Sequence, residues 1–330
     1  MATQEQNELE QRELAAVRES AGYTAVTDRA FLRVTGSDAT RWLNGMVSNS
    51  IQALEPGEGN YNFLLNAQGR IQGDATVYRE SSDEPAEFLL ATTAGQVETL
   101  REHLDHFIIM DDVELTSAYA DEAGLLIVGK EAGAALERLG LPAIEPLRMA
   151  HADTEHGPVL LLTPVEGLVP AFELRGAVAT IDGLRDALVV PEIGGAALES
   201  LRLLEGRPVY GQDIRDRDLP QETSQTHALH FAKGCYLGQE IVERIRSRGQ
   251  VHRRFMAFRL TGELPAALPA ALEAGGKPAG EITSAGVVPL ADGSALIALG
   301  YARQEVLDAK QELSYPGGVA IPYRDPTPAG

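Results

Sequence analysis

The chain holds one cysteine, Cys235, inside the run Lys233-Gly-Cys-Tyr-Leu-Gly-Gln-Glu240. A thiol attacks electrophiles or binds metals as the thiolate, which nearby positive charge and helix N-termini favour. Lys233 brings an ammonium close in sequence. The following Ile241-Val-Glu-Arg-Ile245 has helical spacing without a breaker. Cys235 is therefore expected near the first turn of a helix, where unpaired N–H groups and the helix dipole attract negative charge. Glycines at 234 and 238 allow a tight turn and close approach of a ligand. The chemistry this spacing suggests is that of an accessible, reactive thiol assisted by Lys233. The alternative is a buried structural cysteine, the commoner fate of a lone thiol.

The octapeptide, with Ile241-Val242 after it and then Arg248-Gly249 and Arg253-Arg254, resembles the signature of YgfZ-type proteins. These are folate-binding relatives of the aminomethyltransferase (T-protein) of the glycine cleavage system, and the likeness runs from about Thr24 to the C-terminus. The resemblance implies tetrahydrofolate as the cofactor and marks further residues. Gly73-Asp74-Ala-Thr-Val-Tyr78 is similar to the stretch carrying the family's folate-facing aspartate, here Asp74. A carboxylate can accept the adjacent N–H donors of a pterin as a pair; taken alone, Asp74 could equally bond a turn amide. Tyr61, on the preceding strand, could stack on a folate ring or simply fill core. Ala171-Phe-Glu173-Leu resembles the family's glutamate site, which makes Glu173 a second pterin partner, although alternation with Phe172 and Leu174 would otherwise turn it to solvent. Arg248 and Arg254 belong to a basic cluster with Arg244, Arg246, His252 and Arg253. Such a cluster could meet the glutamate tail of a folate, or pair with Glu240 and Glu243 on a solvated helix face. The chain departs from the transferases at Leu198, where they carry an arginine, and at Leu204, where they carry a glutamate. Both departures weigh against aminomethyl transfer, because an arginine's charge-assisted contact is lost.

The bulk properties narrow the classes. Of 330 residues, 48 are acidic and 28 basic, a formal charge of −20. That balance disfavours a general nucleic-acid or anionic-membrane binder, both of which need positive fields. One cysteine permits no internal disulfide, which fits a reducing cytoplasm. The N-terminal residues lack the basic start and apolar run of a signal peptide, and no stretch is apolar for long enough to span a bilayer. His103 and His106, beside Asp105, Asp111 and Asp112, are a weak metal signal; an amphipathic surface helix explains them as well, and no metal is assigned. A single cysteine cannot hold an iron–sulfur cluster alone, since such clusters usually take about four thiolates.

The elements that must position these residues follow from periodicity. Strands are expected over Phe31–Val34, Asn60–Leu65, Ile71–Arg79 and Glu87–Thr92, and a helix over Val97–Phe107 with Val97, Leu100, Leu104 and Phe107 on one face. Ser37 or Asp38 would cap the helix through Trp42. Further strands are expected over 124–129, 149–153, 158–163 and 171–174, with helices over 131–139 and 196–204. His227–Ala232 reads as a short strand. Beyond Arg254, short apolar pieces between Gly and Pro turns indicate a small β-barrel or sandwich. The fold class is α+β. The resemblance implies the three-domain clover-leaf of the T-protein, with a polar tail or helix at 1–20, a discontinuous folate-binding unit of 21–117 plus 185–245, an α+β unit at 118–184 and a C-terminal β-barrel at 246–330. It also implies a function: a tetrahydrofolate-binding protein supporting iron–sulfur cluster assembly or repair, with cluster client or assembly proteins as partners and neither nucleic acid nor membrane. An aminomethyltransferase and a non-catalytic folate-dependent scaffold are the alternatives, and whether the chain catalyses a reaction is left open.

Overall fold

The computed structural model describes residues 2–80, 83–249, 251–290 and 293–324. The chain starts with helix α1 (Ala2–Glu19) and strand β1 (Gly22–Ala25), then runs β2 (Ala30–Thr35), α2 (Ala39–Met46), β3 (Gly59–Leu65), β4 (Ile71–Arg79), β5 (Phe88–Thr92), α3 (Val97–Asp105) and β6 (Glu114–Ala118). It continues through β7 (Ala123–Val128), α4 (Ala132–Arg138), β8 (Met149–Thr154), β9 (Gly157–Leu162), β10 (Ala171–Gly176) and α5 (Val178–Ala187). After α6 (Gly195–Glu205), two 3-10 turns and α7 (Gln239–Arg248) come β11 (Arg253–Gly262), β12 (Ala270–Ala274), β13 (Lys277–Leu290), β14 (Gly293–Arg303), α8 (Gln304–Asp308), β15 (Leu313–Tyr315) and β16 (Gly318–Arg324).

Among the described residues the strands form two antiparallel sheets, ordered β3-β4-β5-β2-β6 and β1-β7-β10-β9-β8, and one closed barrel, β11-β14-β13-β12-β15-β16. On the first sheet, Leu32, Val34, Val77 and Leu90 pack against Trp42 and Leu43 of α2 and Leu100 and Leu104 of α3. On the second, Leu125, Ile127, Leu161 and Leu174 pack against Leu136 of α4 and Ile181 and Leu184 of α5. The two sheets meet through Phe31, Tyr78 and Leu89 on one side and Met149, Leu160 and Leu162 on the other. Each sheet thus has apolar residues on both faces, which explains why runs such as Phe88–Thr92 are buried throughout rather than alternating. The T-protein-like architecture with a C-terminal barrel matches the expectation. Among the described residues no helix is long and apolar enough to cross a membrane.

Local expectations fail at four places. Of the two readings of residues 1–20 the helix holds, as α1, but it is not free in solvent: Leu14 and Val17 are buried in a seam with Leu201 and Leu203 of α6 and the barrel residues Val288 and Ile297. Strand β1 pairs with β7, so the start of the expected first unit joins the second sheet. His227–Ala232 is no strand, since Thr226–Ala228 is a 3-10 turn and loop follows. Asp38 is the N-cap residue of α2 but makes no side-chain cap; its carboxylate pairs with Arg41 and accepts from Asp112 N–H.

Candidate functional site

The cysteine sits on a loop held down on both sides. Leu229 and Tyr236 are buried among Phe63, Leu65, Ile71, Ile214 and Val242. Leu237 N–H donates to Gly45 O at 2.9 Å, and Tyr236 N–H to the Gln239 side-chain oxygen at 3.0 Å. Lys233 reaches inward: its Nζ donates to Val47 O at 2.7 Å and to Asn49 O, and lies 5.0 Å from the Tyr236 ring centre. Burial pushes the Lys233 ammonium down to about 7. Between these anchors Cys235 is exposed. Helix α7 begins only at Gln239, with Gly238 as its cap at φ 82°. A Cβ on Gly238 would come 2.6 Å from Asn66 O, so the left-handed turn that starts α7 and the close approach to the β3–β4 turn both require glycine. The expected placement is therefore corrected: Cys235 lies ahead of the helix, outside the first turn where the dipole acts, and Lys233 commits its ammonium to backbone carbonyls.

The acid and its neighbour are brought together. Tyr61 pairs in register with Thr76, and Phe63 with Asp74, which makes Tyr61 and Asp74 diagonal neighbours on β3 and β4. The Tyr61 hydroxyl donates to Asp74 Oδ2 at 2.5 Å, and Gln96 Nε2 donates to Oδ1 at 3.0 Å. Burial pushes the Asp74 carboxyl above its usual range, against the pull of the Tyr61 and Gln96 hydrogen bonds and the Arg29 charge. Burial, and then the Asp74 charge, raises the Tyr61 phenol well above its ordinary value, so it remains a donor. Asp74 nevertheless keeps intermediate solvent exposure: it lies deep, yet water reaches it. Tyr61 packs at 5.4 Å on His227, whose Nδ1 is buried without a partner. Burial lowers the His227 pKa. Asn49 Nδ2 donates to His227 O at 2.9 Å.

Glu173 is buried, not solvent-facing, because β10 is an interior strand of the second sheet. Its Oε2 accepts from Arg29 Nε at 3.1 Å and its Oε1 from Arg175 Nε at 2.9 Å. The Arg29 pKa is raised chiefly by Glu173, with smaller contributions from Tyr78 and Asp74. Glu173 and Asp74 thus flank one guanidinium from two different sheets. The basic cluster is not one patch. Arg246 pairs with Glu243 at 3.5 Å and covers Phe231. Arg253 turns into a network, bonding Asp218 at 2.6 Å and Glu222 at 3.0 Å, 4.6 Å above the Tyr301 ring. Arg254 pairs in register with Ala302 on the next strand. The side chain of Arg248 lies outside the described residues. Arg253 instead lines, with Arg70, Arg217 and Arg303, a cavity of about 780 Å³ at the barrel. Arg29, Gln96 and His227 are site residues the sequence reading missed. Gln96 precedes a helix and looks like a cap, and His227 fell in a presumed strand.

The polar groups around Asp74 keep unused hydrogen-bonding capacity of the kind a pterin's N–H groups would meet. Each carboxylate oxygen accepts one hydrogen bond and has capacity for another, and the orphaned His227 Nδ1 beside Tyr61 is a polar group without a protein partner. The class is defined first by fold. The aminomethyltransferase T of the glycine cleavage system from Bartonella henselae superposes with a TM-score of 0.82 at 20% identity, over 95% of this chain and 88% of that one. The GCVT N-terminal domain matches residues 3–161, so the first half of the chain is similar to that domain in sequence as well as in fold. The chain is 29% identical over 269 residues to an "Iron-sulfur cluster assembly factor IBA57 homolog, mitochondrial" of Neurospora crassa, a match covering 77% of this chain and 58% of that protein. It is 26% identical over 332 residues to an aminomethyltransferase of Thermotoga petrophila, covering 94% and 86% respectively.

Proposed function

We propose that this protein binds tetrahydrofolate at Asp74 and supports iron–sulfur cluster assembly or repair through Cys235, in a reducing cytoplasm, with cluster-carrying client or assembly proteins as partners. The observation that carries this reading is the lone thiol exposed on a loop anchored by Lys233 and Tyr236. Likeness to a cluster assembly factor supports it. Asp74, with Tyr61 and His227 beside it, would hold the pterin, and Glu173 would act through Arg29. The arginines of the barrel cavity are suited to a polyanionic glutamate tail. When bound, a reduced folate supplies one-carbon or hydride chemistry; the chain's own part is to bind and orient it. Because one thiolate is too few for a cluster, the remaining ligands come from a client, a second copy or a small thiol.

Aminomethyl transfer is the second reading, favoured by the likeness to transferases over nearly the whole chain. Against it stand Leu198 and Leu204, which are apolar where those enzymes keep charges and pack in the seam with α1 and the barrel. A folate-dependent scaffold without thiol chemistry is the third. Complementation of a deletion strain separates them, with cluster-dependent enzyme activities as readout. The expected result is rescue by the wild-type chain and none by Cys235→Ser at equal protein level. Full rescue by Cys235→Ser would leave the scaffold reading. Release of ammonia and methylenetetrahydrofolate from a purified aminomethyl-lipoyl carrier would establish the transferase.

A further inference from the structure

A smaller cavity of about 220 Å³ opens where the two sheets meet, lined by Tyr119, Glu122, His151, Asp153, Leu160 and Arg175 among others. Asp74, Tyr61 and His227 are not among its walls. Arg175 is only 4% exposed. Its guanidinium is fixed by the bond from Nε to Glu173, lies 5.4 Å from the Phe31 ring centre, and rests on β7 at Gly124, where a Cβ would meet its Cζ at 2.6 Å. Yet Arg175 Nη2 is buried with no hydrogen-bond partner, and so is Glu122 Oε2.

Of the other polar groups of this wall, Tyr119 and His151 are turned to Glu80, and Asp153 is a second carboxylate. Tyr119 donates to Glu80 Oε1 at 2.7 Å, Arg33 pairs with Glu80 at 2.8 Å, and His151 Nε2 stands 3.6 Å from the same carboxylate. Arg175 and Glu122, which carry the unmet donor and the unmet acceptor, have opposite charge and both line this cavity. Burial pushes the Glu122 carboxyl up, while the Arg175 and His151 charges pull it down. A bare anion placed here would satisfy Arg175 and face Glu122; a bare cation would do the reverse. A ligand bearing both charges satisfies both groups through charge-assisted hydrogen bonds. We propose that this cavity binds a small zwitterion of the α-amino acid class, with its carboxylate on Arg175 Nη2 and its ammonium on Glu122 Oε2. The volume corresponds to about seven water molecules at roughly 30 Å³ each, which limits the side chain to a few atoms.

The test is an amide-shift titration of the full chain with L-alanine, and with acetate and methylammonium as its separate halves. The expected result is saturable shifts at Asp153, Leu160 and Arg175, with either half binding at least tenfold more weakly. Glu122→Gln keeps the side chain's shape and should weaken alanine at least tenfold while leaving the remaining spectrum and the Tm unchanged; Glu122→Ala should do the same. Absence of saturable shifts overturns the proposal. So does equal binding of acetate, or unchanged affinity in both variants, which would leave bridging water as the only occupant.

Discussion

Asp74 makes its cost visible at the level of single atoms. A carboxylate held deep, with its two oxygens each taking one hydrogen bond, is tolerable because Tyr61 and Gln96 donate to it and Arg29 lies near. A ligand offering a pair of N–H groups would meet the lone pairs that remain. Asp74→Ala should therefore weaken tetrahydrofolate by roughly 1.5–3 kcal/mol, the worth of hydrogen bonds to a charged group; calorimetry showing equal affinity would remove Asp74 from the site. Lys233 gives a second, ligand-free prediction. Its folded-state value of about 7 lies below that of an exposed lysine, near 10.4. Between those values the unfolded chain binds the extra proton, so this group's contribution to stability rises with pH across that window and is flat below about pH 7. Replacing Lys233 with Met should lower stability, because the carbonyls of Val47 and Asn49 lose their donor, and should flatten the rise between pH 7 and 10. Urea midpoints at several pH values, with parallel profiles for the two proteins, would contradict this.

Among the elements, α1 shows how composition misleads. A segment rich in Gln and Glu reads as solvated, and all but a few of its side chains could be. Burial of Leu14 and Val17, the bond from Ser200 Oγ to Glu10, and that from Gly194 N–H to Glu13 at 3.0 Å decide otherwise. Leu14→Ala should cost about 2–5 kcal/mol, the range for a fully buried leucine; a change below 0.5 kcal/mol in chemical denaturation would mean the helix is dispensable. Strand β4 was legible in the sequence to within its ends, because its inward and outward residues alternate. Strand β12 was not: Ala270-Ala-Leu-Glu-Ala274 has the composition of a helix, and the need to close the barrel between β13 and β15 overrides that preference. Asp74 is marked in the sequence by the family resemblance, and Tyr61 by its place on the neighbouring expected strand, which the structure pairs with that of Asp74. Gln96, which completes the same carboxylate's shell, comes from a turn after β5, and only the tertiary arrangement brings it there. Arg254, conspicuous in sequence, yields to its neighbour Arg253 because successive strand residues face opposite ways.

For the molecule as a whole, attachment of the barrel rests heavily on charge. Arg253 joins β11 to Asp218 and Glu222 of the preceding connection, and Glu281 of β13 receives Arg215 at 2.5 Å and Arg217 at 2.8 Å. Asp218 is fully buried. Arg253→Met should cost about 3–5 kcal/mol, mostly by stranding that carboxylate, and calorimetry should show the barrel and the sheets melting apart; a single unshifted transition would refute the network's role. The loop of Cys235 has a wider consequence. Asp74 bonds Tyr61, Tyr61 lies on His227, His227 O is held by Asn49, and Asn49 O takes the Lys233 ammonium two residues from the sulfur. These contacts run from the interior acid to Lys233, which lies two residues before Cys235 in the same loop. If the proposed function holds, a ligand that displaced the Tyr61 ring would disturb contacts that reach the anchor of the loop carrying the exposed thiol.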